Sequence, residues 1–246
     1  MKMKNKKEEQ IILRKQHKAT LKTNKRSAPS LEREKLNIDE KPSILIYCDG
    51  KNTEPSYFNS FGLSFVTCFG EGMNTLTTVK KAIALRKKKA YDEVWCVFDA
   101  DPKPSNPQQA SNFNKAVALA QKSNINIAYS NQAFEYWLIL HFNDHQGGKM
   151  NRTDYNSEIN KFLKPFGTTY QGESSKFVTD EIFEILDGID EKTNIERKKL
   201  AIDRAEKSHN FHNVNNYQNP AGTESSTTVF KLVRRLLGFL YPGREY

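Results

Sequence analysis

The chain has 246 residues, enough for one large domain or a domain with extensions. Apolar residues make up 37% and charged residues 27%, and the formal net charge is +9, so an anionic partner fits this composition. No run of ~20 apolar residues offers a membrane span, and no apolar stretch follows the basic start as a secretory leader would require, which makes the cytoplasm the expected location.

The positive charge is uneven. Residues 1–42 carry about 13 basic and about 6 acidic side chains, roughly +7 of the total. They contain no apolar run and read as a flexible basic N-terminal arm, either one that meets phosphates or a solvated tail. Residues 43–246 form the expected folded domain, with an α/β core over about 43–146 and a helical C-terminal part over about 147–246.

Within the core, residues 44–48 are a short apolar run that ends at Asp49-Gly50, a strand followed by a turn. A helix opens at Glu54-Pro55, with Thr53 as its expected N-cap. Residues 64–69 read as a second strand and 75–89 as an amphipathic helix. A third strand, 93–98, runs into Asp99-Ala100-Asp101-Pro102. A helix over 110–122, a strand over 125–129 and a strongly apolar helix over 134–142 follow. Beyond about residue 147 the spacing predicts helices over 155–163, 176–186, 192–208 and 227–240, read as a cap on the core. Cys48, Cys68 and Cys96 all fall in apolar strands; an odd count without paired spacing argues for buried reduced thiols.

Alternating strands and helices indicate a mainly parallel sheet with both faces covered. Ligands in such sheets bind beyond the carboxyl ends of the strands. That rule brings three loops to one edge, 49–54, 99–101 and 130–135, and each carries a carboxylate. Asp99 and Asp101, at i and i+2 after an apolar strand, suit a hard cation such as Mg²⁺ or Mn²⁺, although Asp-x-Asp also serves nucleotide-sugar transferases or merely closes a turn. Asp49 alone reads as an Asp-Gly turn, and Glu54 alone as a first-turn acid favoured by the helix dipole. Together with Asp99 and Asp101 they make a rim that repels itself unless a cation sits there. Glu135 opens an apolar helix and needs either a backbone cap or a metal. Lys51 is placed to meet a phosphate or to lie in solvent. His141 reads as a core histidine.

Three strings, Ile-Leu-Ile-Tyr-Cys-Asp-Gly-Lys-Asn-Thr-Glu-Pro-Ser-Tyr-Phe (44–58), Tyr-Asp-Glu-Val-Trp-Cys-Val-Phe-Asp-Ala-Asp (91–101) and Ala-Tyr-Ser-Asn-Gln-Ala-Phe-Glu-Tyr-Trp-Leu-Ile-Leu-His-Phe (128–142), resemble the RloB family. The string Asn-Pro-Ala-Gly-Thr-Glu-Ser-Ser-Thr-Thr-Val-Phe-Lys-Leu-Val (219–233) is similar to its C-terminal block. The resemblance implies a Toprim-like core, the fold shared by topoisomerases, primases and OLD-type nucleases. It also implies a prokaryotic phage-defence setting and an RloA-type ATPase as partner. By that resemblance Asp99 and Asp101 would bind Mg²⁺. A glutamate after the first strand would do acid–base work, but this chain has Asp49-Gly50 where the family usually has Glu-Gly, so Glu54 is the other candidate for that role.

Two functional expectations follow. One is a Mg²⁺-dependent nuclease on DNA or RNA, with Asp49, Glu54 and Lys51 as catalytic groups and Asp99, Asp101 and Glu135 at the metal. The other is a catalytically silent nucleic-acid-binding partner of the ATPase. A homo-oligomer is compatible with either.

Overall fold

The computed structural model describes residues 41–101, 108–146, 150–171, 176–216 and 219–246. Apart from its last two residues, the expected basic arm lies outside them.

The core is an α/β sandwich around a five-stranded sheet. Its elements in chain order are β1 (Ile44–Cys48), α1 (Thr53–Asn59), β2 (Val66–Gly70), α2 (Thr75–Lys88), β3 (Glu93–Asp99), α3 (Gln108–Lys122), β4 (Asn126–Asn131) and α4 (Glu135–Leu140). The C-terminal part adds α5 (Tyr155–Leu163), α6 (Asp180–Asp187), α7 (Arg197–Asn216), β5 (Ser226–Thr227) and α8 (Val229–Leu240). The strand order is β2-β1-β3-β4-β5. The first four strands are parallel, and β5 runs antiparallel to β4.

Both faces of the sheet are covered, which explains why β1 is apolar at every position instead of alternating. Leu45, Tyr47, Cys96 and Phe98 face one way, onto Val79 and Ala82 of α2 and Phe113 and Ala116 of α3. Ile44, Ile46, Cys48, Trp95 and Val97 face the other way, onto α1, α4 and the C-terminal helices. Tyr57 of α1 sits at the centre of that second layer, edge-on to Phe134, Trp137 and Phe183. Because β1 lies between β2 and β3, the chain reverses its direction of growth there. The carboxyl ends of β1 and β3 therefore flank a topological switch point.

The expected α/β architecture, mainly parallel with flanking helices, is the observed one, and several boundaries move for identifiable reasons. Thr53 is not an N-cap but the first helical residue after Asn52; its hydroxyl is drawn away to the Lys176 carbonyl (2.7 Å). The second strand begins at Val66, two residues later than the pattern suggests. The helix expected from 176 begins at Asp180, where the Thr179 side chain accepts from the Ile182 amide. Lys176 itself is left-handed, with φ 45°. The helix expected from 192 begins at Arg197, because Asp190 closes a turn by accepting from the Thr193 amide and hydroxyl. At its other end it runs on to Asn216.

The C-terminal part is more than a cap. Ser226–Thr227 adds a strand to the sheet, and α8 packs on β4. Ser130 and Thr227 bring their hydroxyls to 2.9 Å, while Thr228 Oγ1 accepts from the Tyr129 amide. A strand of two hydroxyl residues carries no apolar periodicity, so the pattern could not announce it. The three cysteines are free. Cys48 and Cys96 are buried, while Cys68, on the edge strand, is only partly so. No helix among the described residues is long and apolar enough to cross a membrane.

Candidate functional site

All three acid-bearing loops open into one cleft of about 380 Å³ at the switch point. Asp49, Lys51, Glu54, Asp99, Asp101 and Glu135 line it, joined by Thr53, Gln109, Arg152 and Lys176.

Asp49 ties the loops together. Its amide continues the ladder to the Val97 carbonyl (2.9 Å), and its own carbonyl accepts from the Met73 amide (3.0 Å). Its carboxylate accepts from the Gly50 amide at Oδ1 (2.7 Å) and from the Asp99 amide at Oδ2 (3.1 Å). Space beside it is tight at two glycines. A Cβ at Gly50 would run into the Glu54 carboxylate, and a Cβ at Gly70 would overlap the Gly50 carbonyl oxygen and sit 2.8 Å from that of Cys48. In the Gly70 case the obstacles are backbone atoms, which cannot rotate away. Gly70→Ala should therefore lower the stability of the fold by roughly 3 kcal/mol and push the Gly50 loop off its seat. Urea unfolding checks this, and an unchanged midpoint would show that the loop yields freely.

Glu54 and Glu135 are 5% and 6% exposed, unusual for glutamates at helix starts. Glu135 has a partner: Tyr170 donates its hydroxyl proton to Oε1 at 3.0 Å and lies 3.0 Å from Thr53 Oγ1. Asp99 ends β3 opposite Ser130, and its buried Oδ1 has no hydrogen-bond partner among the described residues. Asp101 leaves the strand in a left-handed conformation (φ 37°), its amide donating to the Gln132 carbonyl (2.9 Å). Its carboxylate is ion-paired with the Arg152 guanidinium. Lys51 is exposed at the cleft, its methylene chain against Gly72.

Crowding of acids in poorly hydrated space raises their affinity for protons. Burial, only partly offset by the two amides, pushes the Asp49 carboxyl up to about 7. Burial, followed by the charge of Asp49, pushes Glu54 up to about 8. Asp99 is raised well above the usual carboxylate range by burial and then by Asp49, Glu54 and Glu135. His141 behaves as a core residue: it is fully buried, with Nδ1 3.0 Å from the Trp137 carbonyl, and burial pushes its pKa down to about 3.

The donor chemistry fits a hard divalent cation. Asp99 Oδ1 is unpartnered, and the charges of Asp49, Glu54 and Glu135 act against its ionisation, a repulsion that a cation would relieve. Among the described residues, no three His, Cys, Asp or Glu side chains converge as a finished ligand set. A Mg²⁺ ion bound here would therefore take one or two of these carboxylates and fill its remaining positions with water and phosphate oxygens.

The sequence pattern marks the acids and not their partners. Arg152 sits in a short 3₁₀ turn (Arg152–Asp154), and Tyr170 follows a Gly-Thr-Thr stretch, with nothing local to mark either. Gln132 carries no such signal either, although its carbonyl holds Asp101 and its side-chain oxygen accepts from the Arg152 amide at 3.0 Å.

Comparison with curated proteins and with solved structures gives no match. The model for the family described as RloB-like protein matches residues 44–236, from the first core strand into the last helix. The chain with this acidic switch-point cleft belongs to the RloB-like protein family.

Proposed function

We propose that this chain is a divalent-metal-dependent nuclease acting on DNA or RNA phosphodiesters. The observation that carries the reading is the buried, unpartnered Asp99 oxygen in a cleft shared with Asp49, Glu54, Asp101 and Glu135, with Lys51, Lys176 and Arg152 on the same walls. Anionic and cationic groups on one small surface suit a substrate that brings a metal and a phosphate together.

In this reading Asp99 and Asp101 would hold Mg²⁺ or Mn²⁺, with Glu135 adding its charge from the same cleft, and the bound ion supplies charge to the phosphate and lowers the pKa of water. Glu54, whose carboxyl is raised to about 8, is poised to take or give a proton near neutral pH. Asp49 is less suited to that task, because both its oxygens already accept backbone amides. This tethering, with Asp in place of the family's usual Glu before the glycine, favours Glu54 over Asp49 for the acid–base role. Lys51, exposed at the cleft, would meet a neighbouring phosphate.

The setting proposed for this activity is prokaryotic phage defence in the cytoplasm, with an RloA-type ATPase as partner. These parts rest on the family resemblance. The test is incubation of the full chain, alone and with its neighbouring ATPase, with plasmid DNA and total RNA in Mg²⁺, Mn²⁺ or EDTA. Cleavage in metal that stops in EDTA is the expected result. Nucleic acid bound but never cut would favour the second reading, a silent binding subunit. The tethered Asp49 and the ion-paired Asp101 are the observations that speak for it.

A further inference from the structure

Arg152 sits where a cation is expected. Its guanidinium donates to Asp101, and its charge acts on Asp49 and Asp99 as well. Its backbone is fixed, since the Arg152 amide donates to the Gln132 side-chain oxygen at 3.0 Å and the Gln132 side-chain Nε2 donates in turn to Glu224. Its side chain is not fixed in the same way: it is 35% exposed and reaches along an open cleft. A rooted backbone with a partly exposed, charge-held head is the construction of a group that can change partners.

We propose that Arg152 is a resident counter-ion that a divalent cation displaces from Asp101, and that its freed guanidinium then holds a phosphodiester oxygen of the substrate. The inference deepens the nuclease reading and rests on it for the identity of the phosphate. Two cations on neighbouring carboxylates repel, so a metal drawn to Asp99 and Asp101 weakens the hold on Arg152. The planar guanidinium offers paired N–H donors whose spacing matches two phosphate oxygens, which a lysine cannot reproduce. Metal binding and substrate binding would then be coupled through one side chain, and the cleft would stay charge-balanced without metal.

The exchange is tested on the full-length, metal-free chain. In calorimetric Mn²⁺ titration without nucleic acid, Arg152→Gln should bind the ion roughly fivefold more tightly than wild type, having lost a competitor for Asp101. In Ca²⁺, which should support binding without turnover, the same variant should bind a short oligonucleotide roughly tenfold more weakly, with Arg152→Lys recovering part of the loss. A merely structural Arg152 would weaken both affinities, and an unchanged Mn²⁺ affinity would equally overturn the exchange. Should Arg152→Gln fail to fold, the guanidinium Nε–H signal of wild type, identified by its loss in Arg152→Lys, must move on adding Mg²⁺; a stationary signal sinks the proposal. A wild-type chain that cuts no nucleic acid would remove the nuclease reading, while the two Mn²⁺ affinities would still decide whether Arg152 is a counter-ion.

Discussion

Asp99→Asn should make the metal-free protein more stable and nearly abolish its cleavage of nucleic acid. The two effects share a cause. Asp99 Oδ1 is buried without a hydrogen-bond partner, and the charges of Asp49, Glu54 and Glu135 all act against ionisation of this carboxyl. An amide of the same shape removes that repulsion and adds a donor that a neighbouring carboxylate can accept. Little is lost in exchange, since Oδ1 accepts no hydrogen bond. A gain of about 1–2 kcal/mol corresponds to a melting temperature higher by roughly 4 °C in EDTA. Activity should fall because a neutral amide is a poor ligand for a hard cation. Metal stabilisation of the transition state amounts to several kcal/mol, and each ~1.4 kcal/mol is tenfold, so roughly a thousandfold loss is expected. Thermal melts in EDTA and single-turnover cleavage in Mg²⁺ read the two effects separately. A variant that melts lower and still cuts would show that Asp99 serves the fold and not a cation.

How much of this site could be read from the chain depended on where each residue's partners lie. Asp49 and Asp99 were legible because an apolar run stops at each of them, and Glu135 because a carboxylate opens a strongly apolar helix. The parallel-sheet rule then brought those stops to one edge. Glu54 was visible as an acid but not as a buried one, because a first-turn glutamate looks the same in sequence whether the helix dipole or a cleft retains it. Arg152 and Tyr170 were invisible, since the first reaches back 51 residues to Asp101 and the second 35 residues to Glu135. Thr53 misled for the same reason. Its local position suggests a cap, while Tyr170 and the Lys176 carbonyl claim its hydroxyl. The strand β5 was missed because two hydroxyl residues carry no periodicity; cross-strand hydroxyl contacts hold it instead.

The clustered acids should also make the stability of the metal-free chain fall steeply as pH rises through neutrality. Asp49 and Glu54 have ordinary values of 3.8 and 4.5 and are raised to about 7 and about 8 in the fold. A carboxyl raised on folding binds protons more tightly in the native state than in the unfolded chain. Stability therefore declines with pH between the unfolded and folded values, from about 4 up to about 8 for this pair, and levels off above. Asp99, raised in the same direction, adds to the slope. The EDTA-treated protein should melt roughly 10 °C lower at pH 8.5 than at pH 5.5, a swing of a few kcal/mol for a domain of this size. Saturating Mg²⁺ reverses the sign of the contribution. Protons and metal compete for the same oxygens, so the ion should raise the melting temperature strongly at pH 8.5 and hardly at all at pH 5.5. Scans at several pH values with and without Mg²⁺ separate this from a general surface-charge effect, which 0.5 M KCl would screen while leaving partly buried charges largely unscreened. Melting curves that rise with pH in EDTA, or a Mg²⁺ effect equal at both pH values, would show that these carboxylates do not face one another across a common cation site.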